Sequence, residues 1–156
     1  MADDGQADSL TPEQHRVLGV DLFNLVWTLL GRPDRTPAEI DTMIHAAHAS
    51  RHHWASAAGS TPNHLARGEW QCSRMYAVLR RAEPALWHAR RVLESCEASG
   101  IGDWDLAYAY EALARATRVA GDDAATERWL AKARAAGDAI AEADDRDLLL
   151  GDLQTI

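Results

Sequence analysis

Four of the chain's seven histidines fall in one short stretch, His45, His48, His52 and His53. Asp41, His45, His48 and His52 follow one another at spacings of three and four. On a helix this makes a continuous ladder of carboxylate and imidazoles. Neutral ring nitrogens at that spacing can ligate a divalent transition metal such as Zn²⁺, Cu²⁺, Ni²⁺ or Fe²⁺. Asp41 would then serve as an oxygen ligand or as the carboxylate that orients a ligating ring. The same ladder can relay protons near neutral pH. Ile40, Met43, Ile44, Ala47 and Trp54 occupy the opposite side, so the segment reads as a two-faced helix with its apolar face inward. The competing reading is a solvated polar face. There is no HExxH motif, and three ligands on one helix need another from elsewhere to close a tetrahedral site.

Two further stripes carry charged and aromatic groups. Arg67, Glu69, Trp70 and Arg74 lie on the segment after Thr61, and Trp104, Tyr108, Glu111 and Arg115 on the segment after Gly102. Leu106, Tyr110, Leu113, Thr117 and Ala120 supply a separate core face for the latter. If the second, third and fifth helices face one cavity, His48, Glu69, Arg74, Tyr108 and Glu111 converge. Glu69, Arg74, Tyr108 and Glu111 would then be the acid–base candidates of a small metal-dependent enzyme. The simpler reading of Glu111 and Arg115 is a surface pair four residues apart, worth about 0.2–0.5 kcal/mol.

Other residue types point to packing. Cys72 and Cys96 have no CxxC spacing and read as small core hydrophobes. His15 and His88 stand alone and read as packing or surface residues. The six tryptophans are spread about one per helix, as packing units between layers rather than as a clustered aromatic cage. Ser50, Ser56 and Ser73 lack the GxSxG turn of a nucleophilic hydrolase.

The elements that must position these groups are punctuated clearly. Thr11-Pro12-Glu13-Gln14 and Thr36-Pro37-Ala38-Glu39 each place threonine at a cap, proline at the first helical position and Gln or Glu three residues after the cap. Thr61-Pro62, Pro84, Asp103 and Asp122 mark further starts, and Gly31, Gly59, Gly100, Gly121 and Gly137 mark ends. The pattern predicts six main helices near 11–31, 36–58, 61–81, 84–99, 103–120 and 122–141, and a short seventh near 145–153. Short links make neighbours antiparallel, and no stretch alternates as a strand does. The predicted class is all-α, an antiparallel helix-hairpin stack over residues 11–156 as one domain, after a flexible tail at 1–10.

A shift of 37 positions aligns Val92, Leu93, Cys96 and Gly100 with Trp129, Leu130, Ala133 and Gly137. Ala120-Gly121-Asp122 between helices, followed by Thr126, Leu130 and Ala133, resembles the second half of a tetratricopeptide repeat. The likeness covers residues 61 to 141. The family's first-helix signature is not kept, since Ser73, Arg74 and Ala77 follow Trp70 and Leu113, Ala114 and Thr117 follow Tyr110. The resemblance implies an α-α superhelix whose first helices line a concave groove of the kind used to hold peptides.

Composition narrows the partners. With 16 Lys+Arg against 24 Asp+Glu, the formal charge is −8, which disfavours nucleic acid and anionic membrane surfaces. The longest apolar stretch, Leu22 to Leu30, is interrupted by Asn24 and Thr28, so neither a membrane span nor an export signal is expected, and a cytoplasmic location follows by default. The leading functional expectation is a small interaction module whose groove holds a peptide, a partner protein or a small molecule, as a monomer or homodimer. The alternative is a transition-metal-binding protein or small metal-dependent enzyme built on the histidine face.

Overall fold

The computed structural model describes residues 9–156; residues 1–8 of the expected tail lie outside them. The described residues form seven α-helices: α1 (Pro12–Leu30), α2 (Pro37–Ser56), α3 (Pro62–Val78), α4 (Ala82–Ser99), α5 (Asp103–Ala120), α6 (Asp123–Asp138) and α7 (Ala143–Leu153). Among these residues there is no strand, and no helix is long and apolar enough to cross a membrane. The all-α helix-hairpin stack expected from the punctuation is the architecture observed.

Local chemistry sets the helix starts. The Gln14 amide donates to Thr11 Oγ1 at 3.2 Å while Gln14 Oε1 accepts from the Thr11 amide at 2.8 Å. Thr36 and Glu39 repeat the exchange at 3.3 and 2.9 Å. The amide of Thr36 is the main reason the Glu39 carboxyl is held below its ordinary range. At α3 a histidine takes the role of Gln or Glu: the Thr61 amide donates to His64 Nδ1 at 3.1 Å. Helix α4 begins at Ala82, so Pro84 sits in its first turn, where an amide has no helical partner to lose.

The glycines near helix ends do not all act in the same way. Gly100 and Gly121 end α4 and α5 in the left-handed conformation, with φ of 63° and 77°. Gly31 caps α1 in a right-handed conformation. Gly137 is the second-last residue of α6 and is buried; a Cβ there would meet Leu149 Cδ2 at 2.8 Å, so this glycine also makes room for α7.

Consecutive helices pair as α1–α2, α3–α4 and α5–α6, with α2 on α3 and α4 on α5 joining the pairs. The first helices also meet in series, α1 on α3 and α3 on α5, and α7 closes the end against α5 and α6. Helix α5 is the hub. Its buried Ala107, Ala109, Ala112, Ala114 and Ala116 let neighbouring backbones approach closely on several sides. The buried core falls into clusters bridged by partly buried side chains such as Trp70 and Tyr76, and it is graded in composition. Val26, Leu29, Met43 and Met75 fill the α1–α3 end, alanines fill the α3–α5 middle, and Leu130, Ile140, Leu149 and Leu153 fill the α5–α7 end.

Candidate functional site

Helix α3 carries chemistry on two faces. Towards α1, α5 and α7 it presents Arg67, Trp70 and Arg74; towards α2 and α4 it presents Glu69, Cys72 and Tyr76.

The first face lines a cavity of about 510 Å³ bounded by Phe23 and Trp27 of α1, Trp70 of α3, Trp104 and Tyr108 of α5 and Leu148 of α7, with Arg67, Arg74 and Asp152 among the lining residues. The rings touch in series. Trp27 and Trp70 have centroids 5.4 Å apart, Trp70 meets Tyr108 edge-on at 5.4 Å, and Trp104 meets Tyr108 at 5.3 Å. Three of the six tryptophans thus cluster, contrary to the reading of all six as separate packing units. One tryptophan per helix becomes a cluster when first helices pack side by side, a relation that spacing within one helix does not contain.

Buried ion pairs set the wall. Glu111 has 0% exposure and accepts from Arg115 Nε at 2.7 Å, Arg74 Nη1 at 3.0 Å and Trp70 Nε1 at 3.2 Å. The Glu111–Arg115 pair is therefore not the surface pair expected; packing of α3 and α7 over α5 removes it from water. Asp152 accepts from Tyr108 Oη at 2.8 Å and from Arg74 Nη2 at 3.4 Å, which ties α7 to α3 and α5. Burial first, and then the Asp152 carboxylate, push the Tyr108 phenol far above its ordinary value, so it stays protonated. At the other end Arg67 grips Asp105 with two bonds of 2.8 and 3.0 Å and lies over the Trp104 ring at 4.7 Å.

The second face places His48 of α2, Cys72 of α3 and His88 of α4 together, with one ligand atom from each lying within 4.8 Å of the others. Glu69 Oε2 accepts from His88 Nδ1 at 2.7 Å, and Glu69 Oε1 accepts from Arg51 Nε at 2.9 Å. Tyr76 Oη and His48 Nε2 share a hydrogen bond of 2.8 Å. Burial is offset by His88 and Arg51, and the Glu69 carboxyl is held below its ordinary value. Burial pushes the Cys72 thiol up to about 12, and with 0% exposure it is not a thiolate nucleophile.

The sequence candidates divide between the two faces. Helix α2 is two-faced as expected, with Met43, Ala47 and Trp54 buried and Asp41, His45, His48 and His52 exposed. Of that ladder, His48 joins the group with Cys72 and His88; Asp41, His45 and His52 are not part of it. His53 turns towards α1, its Nδ1 2.9 Å from Nδ1 of the buried His15. Glu69 stands with His48 and His88, whereas Arg74, Tyr108 and Glu111 stand together on the cavity side, so one common site of His48, Glu69, Arg74, Tyr108 and Glu111 does not form. Sequence reasoning set aside Cys72 and His88, and it did not select Asp152 or Phe23. Glu69, Cys72 and Tyr76 share a helical stripe at spacings of three and four, which was a legible signal.

A second cavity, of about 410 Å³, lies between α4, α5 and α6, lined by Leu86, Leu93 and Trp129 together with charged Arg90, Glu94 and Arg128. It has one aromatic ring where the first cavity has five. No protein-family model, curated protein or solved structure matches the chain.

Proposed function

We propose that the chain is an interaction module that takes an apolar side chain of a peptide partner, aromatic or branched aliphatic, into the cavity between α1, α3, α5 and α7. The observation that carries this reading is the cavity's make-up. Five aromatic side chains wall about 510 Å³, while the polar groups beside them are already bonded to one another. Such a volume suits a bound side chain or small ligand, and a cluster of Trp, Tyr and Arg that a partner can cover is the composition of a binding hot spot. Trp27 and Leu148, 37% and 59% exposed, stand at the rim and extend the apolar surface a peptide would cover. An acid–base role for Glu111 fits less well, because three donors occupy its carboxylate and none of it reaches solvent.

A displayed library of short peptides, panned against the immobilised full chain, tests this. Enriched sequences should share one aromatic or branched apolar anchor. Their affinity, measured by calorimetry, should drop at least about tenfold, or ~1.4 kcal/mol, in Trp27→Ala and in Leu148→Asp. It should not change in Trp87→Ala, which alters an exposed tryptophan of α4 outside the cavity. The absence of any enrichment, or enriched peptides that bind the two rim variants as well as the parent, would overturn the reading.

A further inference from the structure

We infer that Cys72 Sγ and one ring nitrogen each of His48 and His88 form a transition-metal site between α2, α3 and α4, with Zn²⁺ as the ion the donor set fits. Three elements deliver one donor apiece, and the three donor atoms already lie within 4.8 Å of one another. Around a tetrahedral zinc, with Zn–S near 2.3 Å and Zn–N near 2.0–2.1 Å, donor atoms sit roughly 3.3–3.8 Å apart. Closing the set therefore takes side-chain shifts of about 1 Å, not a rearrangement of helices. A thiolate with two imidazoles belongs to zinc and its soft neighbours, whereas magnesium and calcium require oxygen.

The surroundings also match what a metal site needs. His88 gives Nδ1–H to Glu69 at 2.7 Å, which fixes the ring and leaves Nε2 with its lone pair free for the ion. That is the carboxylate–histidine–metal arrangement. Arg51 holds the other oxygen of Glu69, and Tyr76 Oη, 2.8 Å from Nε2, steadies the His48 ring; with that nitrogen as the donor, Nδ1 would keep its lone pair. Cys72 is sealed inside while His48 reaches solvent, so the ion enters from the α2 side and its fourth position faces water. Binding replaces the S–H bond with a Zn–S bond and releases one proton to solvent, so affinity falls with falling pH. The site shares His48 with the exposed ladder of α2 but not His45 or His52, and that difference makes it testable.

The full untagged chain, stripped with a chelator and titrated with Co²⁺ and then Zn²⁺, provides the test. One equivalent of Co²⁺ should produce tetrahedral visible bands and a near-ultraviolet thiolate-to-cobalt charge-transfer band, and Zn²⁺ should abolish both. The charge-transfer band should vanish in Cys72→Ser. Zn²⁺ affinity should fall at least tenfold in His48→Ala and in His88→Gln, and about 10–100-fold in Glu69→Gln. His45→Ala, His52→Ala and Cys96→Ala should bind as the parent does. His48 is exposed, so its variant keeps the test valid if Cys72→Ser unfolds, which circular dichroism would reveal. A cobalt complex without the thiolate band, or binding that survives His48→Ala and fails in His45→Ala or His52→Ala, would overturn the assignment.

Discussion

The two faces of α3 treat a carboxylate in opposite ways. Glu111, opposite Trp70 and Arg74, is fully buried and surrounded by two guanidinium groups and an indole N–H. Glu69, a few residues before Arg74, keeps 15% side-chain exposure and divides its oxygens between one arginine and one histidine. The first arrangement joins α3, α5 and α7 through bonds of Arg74, Tyr108 and Arg115 to Glu111 and Asp152, and so fixes those helices around an apolar cavity. The second contains imidazoles, which can exchange a proton for a metal ion. One side of the helix therefore builds a shape, and the other holds donors whose state can change.

The sharpest way to break this contrast is Glu111→Ala, which takes the buried carboxylate from Arg74, Arg115 and Trp70 and leaves the two arginines only their bonds to Asp152 and Thr155. Removing one partner of a buried ionic cluster should cost about 3–5 kcal/mol of stability, read as a lower urea midpoint with an unchanged slope. A loss under about 1 kcal/mol, the scale of an exposed pair, would mean that Glu111 does not hold the frame. On the other face, Arg51→Ala leaves Glu69 its bond to His88 and some contact with water. The expected loss is about 1.5 kcal/mol, as for one hydrogen bond to a charged group. If the two losses proved equal, the two carboxylates would be equivalent and the contrast would fail.

The smallest effect concerns pH at the N-terminal turn of α3. His64 stacks on Trp54 at 4.3 Å and accepts from the Thr61 amide. Arg16 of α1 and Arg67 of α3 face it as cations and Asp105 of α5 as the opposing anion. Burial first, and then the two arginines, lower its pKa below the ordinary 6.5. A folded-state pKa below the unfolded one means the unfolded chain binds the proton more readily. This contribution is thus complete above about pH 6.5 and is lost as pH falls below it. Urea unfolding at a series of pH values should show stability declining on acidification, with a shallower decline in His64→Gln. An identical slope in that variant would assign the decline to other groups.

Much of the fold was legible because its signals are local. Threonine caps followed by proline, and an amphipathic α2, act within one or two turns, and the helices start within a residue or two of the marked positions. The exceptions are places where another helix intervenes. Gly137 lies in the last turn of α6, close to the marked end, but its lack of a Cβ also makes room for Leu149 of α7, which the sequence around it does not reveal. His48 and Cys72 are equidistant along the chain from Ser60 in the α2–α3 link, and Cys72 and His88 from Arg80 in the α3–α4 link. In antiparallel helices of equal rise, such residues meet at one level. The juxtaposition was therefore implicit in the helix boundaries, although the side on which each residue points needed the packing.

The sequence alone determined the helical class, the approximate helix boundaries and the two-faced character of α2, since capping, periodicity and charge operate over a few residues. Only the tertiary structure decided that Trp27, Trp70 and Trp104 share a cavity, that Glu111 is buried, and that His48 finds Cys72 and His88 rather than His45 and His52. Those relations depend on how helices far apart in the chain rotate against one another. That rotation is settled by the sum of many small packing contacts, and no single residue pattern encodes it.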